Sequence, residues 1–416
     1  MITQPAKPTS QFDLFGQTFR ADPYSTYSAM QHEAPLFSRP TGDGSSIWFV
    51  TRYDDVEAIL RDHRRFVKDI HNTLTPAEQD QLPDQPPLIR LLSHHMLNLE
   101  PPDHTRLRAL VNKAFTTRMV ENLQPRIQSI ADDLLDRVAD QGHMDLIDDY
   151  AFPLPITVIA ELLGIPPRDR RRFRSWSGAL VTPSPDPERN ARKLAKSGGL
   201  MEDFMRYLQR IFVERRANPR DDLITSLLQT EEAGDSLNED ELYSMLLLLI
   251  VVGHETTVNL IGNGMLALFQ HPDVLSRIAD DPGLTPTAVE EILRYDCPVE
   301  RAPMRFAAQD VRMGDVTIRR GDTVSLVLGA ANRDGDQFTA PHCFDIDRTD
   351  NRHLGFGMGI HYCLGAPLAR LEGRIAIDTL LQRLPGLHAA VPLSQLRWRT
   401  NPIMRGVQHM PVKWDR

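Results

Sequence analysis

The stretch Phe356-Gly357-Met358-Gly359-Ile360-His361-Tyr362-Cys363-Leu364-Gly365 constrains this chain more than any other. It sets one cysteine among three glycines, and the following Ala366-Pro367-Leu368-Ala369-Arg370-Leu371-Glu372 reads as the first turns of a helix. Cys363 then stands just ahead of that helix, where free N–H groups and the positive dipole end favour a thiolate. Glycines let the backbone approach a flat, bulky group closely and supply the angles that N–H···S bonds in a tight loop require. The other two cysteines, Cys297 and Cys343, read as small buried hydrophobes. An odd number of cysteines without paired spacing gives no disulfide framework, and a reducing cytoplasm is the simplest home.

Composition narrows the class. A chain of 416 residues with 41% hydrophobic and 25% charged residues is an ordinary globular protein with a large core. No Gly/Ser linker, charge block or repeat divides it, so residues 1–416 are read as a single domain with a flexible N-terminus over 1–10. Met1 to Ser10 carry no apolar run, which argues against a signal peptide or membrane anchor. The longest strongly apolar run, Met245 to Val252, falls far short of the ~20 residues a spanning helix needs. A net charge of −9 speaks against nucleic acid as the main partner.

Leu36-Phe37-Ser38 and Ile47-Trp48-Phe49-Val50 flank Thr41-Gly42-Asp43-Gly44 and read as a β-hairpin. A short amphipathic helix follows over 54–62. The proline-dotted stretch from His71 to Asn98 is a long loop, of the kind that carries function or is disordered. Pro101-Pro102-Asp103 opens a helix with Asp103 as its N-cap. On that helix His104 and Arg108 share a face, which by spacing alone is a solvated basic face. Helical patterns follow over 117–141, 152–164, 168–181 and 190–217, and the proline run at 183–187 separates the last two.

Asn238 to Gln270 reads as one helix of roughly 45–50 Å. Its middle is apolar on every side and so runs through the core. Gly253-His254-Glu255-Thr256-Thr257 interrupts that apolarity, and a buried acid and hydroxyl are costly unless paired. Threonine can bond back to the carbonyl four residues earlier and bend or bulge the helix, more easily beside Gly253. Residues 298–328 alternate and carry turn signals, and read as short strands. The segment 388–415 reads as short C-terminal strands.

The run Phe-Gly-x-Gly-x-His-x-Cys-x-Gly resembles the haem-binding signature of the cytochrome P450 family over ten positions. The resemblance extends across nearly the whole chain. It implies a mainly α fold with small β-sheets, haem lying between the long central helix and the cysteine-loop helix. It implies haem b (iron protoporphyrin IX) with Cys363 as the axial ligand of the iron, the thiolate favouring O–O cleavage. His104 and Arg108 look like the early-helix propionate contacts, Arg305 like the strand arginine on a propionate, and His361 like a further contact. Gly253 to Thr257 is similar to the acid–alcohol motif. There a local opening of the helix makes room for O2, Thr256 hydrogen-bonds the oxygen and Glu255 relays protons. Val252 stands where the family commonly has Ala or Gly, a departure that bears on the room above the haem. Glu291, Arg294 and Arg348 resemble a structural triad that braces the cysteine loop.

The activity implied is insertion of one atom of O2 into a small hydrophobic substrate, by hydroxylation or epoxidation. The general pattern resembles members that act on macrolides, terpenes or steroids. Apolar pocket candidates are Leu92, Met96, Leu248, Val251, Val252, Ala302, Pro303, Ile403 and Met404. Electrons are expected from a ferredoxin (or flavodoxin) and its NAD(P)H-dependent reductase, docking near Arg106, Arg370 and Arg374. Two other classes stand beside this one, a peroxide-driven haem–thiolate peroxygenase and a non-catalytic haem-binding sensor.

Overall fold

A computed structural model describes residues 12–81, 94–170, 172, 173, 176, 187–232 and 234–415. Leu92 and most of the expected helix over 168–181 lie outside the described residues, as does the side chain of Val251.

The fold is mainly helical with small sheets, and its axis is the helix Glu239–Gln270. Asn238 starts it through a capping box: its side chain accepts from the Glu241 N–H, and the Glu241 carboxylate accepts from the Asn238 N–H. Met245, Leu246, Leu247, Leu248, Leu249 and Ile250 are all buried, which is why the helix is apolar all round. Among the described residues this helix alone is long and apolar enough to cross a membrane, contrary to the expectation from its shorter apolar run. However, 82% of its most apolar stretch is buried inside the protein. Helices Pro153–Leu162, Thr285–Tyr295 and Ala366–Arg383 pack against it.

The pattern over 117–141 divides into Thr117–Asn122 and Gln124–Asp136, because Pro125 suits only a helix's first turn. Asp103 is not the N-cap. It is the first helical residue of Asp103–Ala114, Pro102 takes the cap position, and no side chain caps that end.

The expected hairpin forms, Leu36–Pro40 pairing antiparallel with Ser46–Val50. It is one side of a five-stranded sheet that continues through Thr323–Leu326, Arg305–Ala307 and Phe66–Val67. Thr323–Leu326 runs parallel to Ser46–Val50, and the remaining pairs are antiparallel. The C-terminal strands His388–Ala389 and Pro411–Lys413 join His143–Asp145 in a three-stranded sheet. Cys297 is buried as expected, but Cys343 is exposed, in the turn that follows Ala340.

Candidate active site

The cysteine loop is built by short-range bonds. The Gly357 N–H donates to Leu354 O at 2.8 Å, Tyr362 to Gly359 O at 3.1 Å and Cys363 to Phe356 O at 3.0 Å. Gly357 and Gly359 have φ of +67° and +74°, a backbone region that side chains rarely adopt. A Cβ on Gly359 would also stand 2.6 Å from the Leu60 carbonyl oxygen. The helix Ala366–Arg383 begins just beyond, with Pro367 in its first turn. Burial pushes the Cys363 thiol pKa up, while the N–H groups of Gly365 and Ala366 and the charge of Arg108 pull it down.

A buried triad stands ahead of the loop, tying residues 332–345 to the helix Thr285–Tyr295. Arg294 holds Glu291 through two bonds, Nη2–Oε1 at 2.6 Å and Nε–Oε2 at 2.8 Å. Arg348 Nε donates to Glu291 Oε2 at 3.3 Å. The remaining guanidinium donors are used as well. Arg294 donates to the carbonyls of Asn332, Pro341 and Cys343, and Arg348 to those of Thr339 and Ala340. Beside it, Arg370 grips Glu290 at 2.6 and 2.9 Å and lies over the Phe356 ring at 4.5 Å.

The other side of the loop is different. The His104 and His361 rings stand 4.5 Å apart, and Arg108 bears on Cys363. Arg305 Nη2 donates at 3.4 Å to Leu60 O, the same carbonyl that Gly359 approaches. Both ring nitrogens of His104, Nε2 of His361 and Nε of Arg305 are buried with no hydrogen-bond partner among the described residues. Burial, helped by Arg108 and His63, lowers the His104 pKa to about 4. Burial and the cations around it lower that of His361 to about 2. Burial brings Arg305 down to about 10. Buried donors with nothing to donate to fit an anionic group that the chain itself does not supply.

The long helix carries the acid–alcohol residues. From Glu241 to Leu268, among side chains described, only Val252, Gly253 and Thr256 are partly open. These three share one face of the helix. The Thr256 hydroxyl donates to Val252 O at 2.9 Å, the back-bond its position suggests, yet the helix runs unbroken and the expected local opening is absent. Glu255, about 100° round the helix from Thr256, is buried, and its Oε1 lies 3.7 Å from Arg399 Nη1.

Asn401 Oδ1 accepts from the N–H groups of Ile403 and Met404 at 2.9 and 3.0 Å. That turn pairs with the strand-like segment before Ala302 and Pro303, Val299 bridging Met404 and the Arg301 N–H donating to Ile403 O. Four pocket candidates are thereby neighbours. Leu248 and Met96 are buried in the main core. The docking arginines are largely engaged: Arg106 pairs with Glu241 and Asp235, and Arg370 with Glu290. Arg399, Glu290 and Lys68 escaped the sequence reading, since the charged or buried partners Glu255, Arg370 and Met304 lie far away in the chain.

The family model described as Cytochrome P450 matches residues 178–281 and 283–386. The cytochrome P450 monooxygenase PikC of Streptomyces venezuelae is 44% identical, covering 100% of this chain and 96% of that one. A vitamin D(3) 25-hydroxylase of Pseudonocardia autotrophica is 45% identical over 97% and 96% of the two chains. The solved structure of the Bacillus subtilis 168 bacillaene polyketide synthase cytochrome P450 PksS matches with a TM-score of 0.89 and 40% identity, over 98% of this chain and 100% of that one. With the cysteine loop, the unpartnered donors beside it and relatives of this likeness over the full length, the chain belongs to the cytochrome P450 family, whose members bind haem and act as monooxygenases.

Proposed function

We propose that this chain is a single-unit, cytoplasmic monooxygenase that hydroxylates or epoxidises a small hydrophobic molecule of the macrolide, terpene or steroid kind, with electrons from a ferredoxin or flavodoxin and its NAD(P)H-dependent reductase. The observation that carries it is the presence of two features in one fold. One is the cysteine loop with its unpartnered donors. The other is the partly open face at Val252, Gly253 and Thr256, within the otherwise buried middle of the long helix among the described side chains. The names of relatives that act on vitamin D(3) or belong to polyketide synthesis favour a bulky, mostly apolar substrate.

Haem held by Cys363, His104, Arg108, Arg305 and His361 supplies the activation of O2 and the one-electron chemistry. The chain's own residues do the rest. Cys363 offers its sulfur from a loop whose N–H groups stabilise negative charge there. Thr256 presents its hydroxyl on the open face, held along the helix by Val252 O. To deliver a proton it keeps Oγ1 in place while its hydrogen turns away from that carbonyl. Glu255 is held toward Arg399, so a proton route through its carboxylate requires that pair to part. Val252, Leu248, Ala302, Pro303, Ile403 and Met404 supply apolar contact and exclude water from the reacting region.

The test is substrate-dependent NADPH consumption by the haem-loaded protein with a ferredoxin and its reductase, across a panel of macrolides, terpenes and steroids. Product formed in step with NADPH consumption supports the reading. Turnover with peroxide alone would favour the peroxygenase, and no turnover with tightly bound haem would favour a sensor.

A further inference from the structure

Lys68 is one of only six lysines in the chain and is 7% exposed. It follows the edge strand Phe66–Val67, whose residues pair antiparallel with Ala307 and Phe306. Continuing that register by one residue sets Lys68 opposite Arg305, so the two side chains leave the same face of the sheet. Like charges so placed repel. Lys68 Nζ donates to the Met304 carbonyl at 2.6 Å, and its backbone N–H is held by the Glu100 carboxylate.

The charges that bear on Lys68 are Arg305 and Glu100, and Lys68 in turn bears on His361 and His95. Glu100 is thus one carboxylate facing both Lys68 and Arg305, and it already holds the Lys68 N–H and the Asn72 amide. A buried ammonium with one neutral acceptor, beside a buried arginine with an unpartnered Nε, is a costly arrangement in the chain by itself. It becomes favourable once a group with two carboxylates is present.

We infer that Lys68 is a further binding residue for the haem propionates, its ammonium adding to the charge neutralisation by Arg305 and Arg108 and to the hydrogen bonding by His361 and His104. This rests on the haem-binding reading above. Lys68 reaches the cluster from the sheet edge rather than from the early helix or the cysteine loop. Its Met304 bond fixes the end of the side chain, so little entropy is lost when a carboxylate arrives.

The experiment compares wild type with Lys68→Gln, Lys68→Met and Lys68→Arg as holoproteins. Haem loss to excess apomyoglobin and the ferric/ferrous midpoint potential are both measured. Lys68→Gln keeps a donor for the Met304 carbonyl but loses the charge. It is expected to release haem about tenfold faster, the worth of one charge-assisted hydrogen bond. Its potential should fall, because a cation that stabilises the reduced site is gone. Lys68→Arg should restore both. Reconstituted with haem dimethyl ester, whose carboxylates are capped, wild type and Lys68→Gln should release the group at the same rate. Equal loss rates and equal potentials for native haem in wild type and Lys68→Gln would overturn the inference and leave Lys68 as a purely structural donor to Met304. Wild type that takes up no haem would overturn the haem-binding reading itself, and this inference with it.

Discussion

Two clusters of buried charge flank the cysteine loop, and they are built on opposite principles. In the triad of Glu291, Arg294 and Arg348, both carboxylate oxygens and the guanidinium groups find partners in the chain. On the other side, His104, His361, Arg305 and Lys68 crowd together with unpartnered nitrogens and too little negative charge. The first is a finished brace. The second becomes complete only with an anion from outside the chain. Buried charge therefore marks a binding site here only where it is left unsatisfied.

The contrast can be broken by removing one member from each side. Glu291→Gln leaves Arg294 and Arg348 buried without their acid. It is expected to cost about 3–5 kcal/mol in urea unfolding of haem-free protein. If it costs less than Arg305→Gln does, the brace is not a brace. Arg305→Gln should do the reverse. It removes a buried cation that no carboxylate hydrogen-bonds, so haem-free stability should hold or rise, while haem loss quickens on the order of tenfold.

Glu290 tests the middle of the scale. Burial alone would raise its pKa, but the bonds from His353 and Arg370 win and bring it from 4.5 to about 2. A depressed acid adds stability above its unfolded pKa and loses it as pH falls through the folded one. The gap between wild type and Glu290→Gln should therefore be full at pH 7 and close between pH 4.5 and about 2. With its side chain 32% exposed, solvent screening limits that gap to about 1–2 kcal/mol. A gap that widens on acidification would contradict the assignment.

Thr256→Ala should have the smallest effect on stability, under about 1 kcal/mol, because the lost bond is a helix back-bond. Its effect should be seen instead in coupling, with NADPH consumption continuing while product falls severalfold. Unchanged coupling would remove Thr256 from the proton path.

Much of this was legible in the sequence because its signals are local. The glycine spacing around Cys363 and the unbroken apolarity of Met245 to Ile250 each determine structure within a few residues, whereas the i, i+3 spacing of Glu291 and Arg294 by itself reads as a surface pair and only the family resemblance marks it as structural. Lys68 and Arg399 gave no such signal, since Met304, which accepts from Lys68, and Glu255, beside Arg399, lie more than a hundred residues away in the chain. The parallel pairing of Ser46–Val50 with Thr323–Leu326 was hidden for the same reason. Asp103 was misplaced by one residue because Pro102 takes the cap position without offering a side-chain acceptor. Cys343 is exposed, in a turn whose backbone is held by Ala340 O and by Arg294, which a residue-by-residue reading does not reveal.

The central claim is that Cys363 presents a thiolate to haem between the two charge clusters. The most direct measurement is the absorption spectrum of the reduced, carbon monoxide-bound protein, taken beside Cys363→Ala. The expected result is the long-wavelength Soret band of thiolate ligation in wild type and its loss in Cys363→Ala, with haem still retained by the propionate cluster. A wild-type band typical of histidine or neutral thiol ligation, or the same band in both proteins, would contradict it.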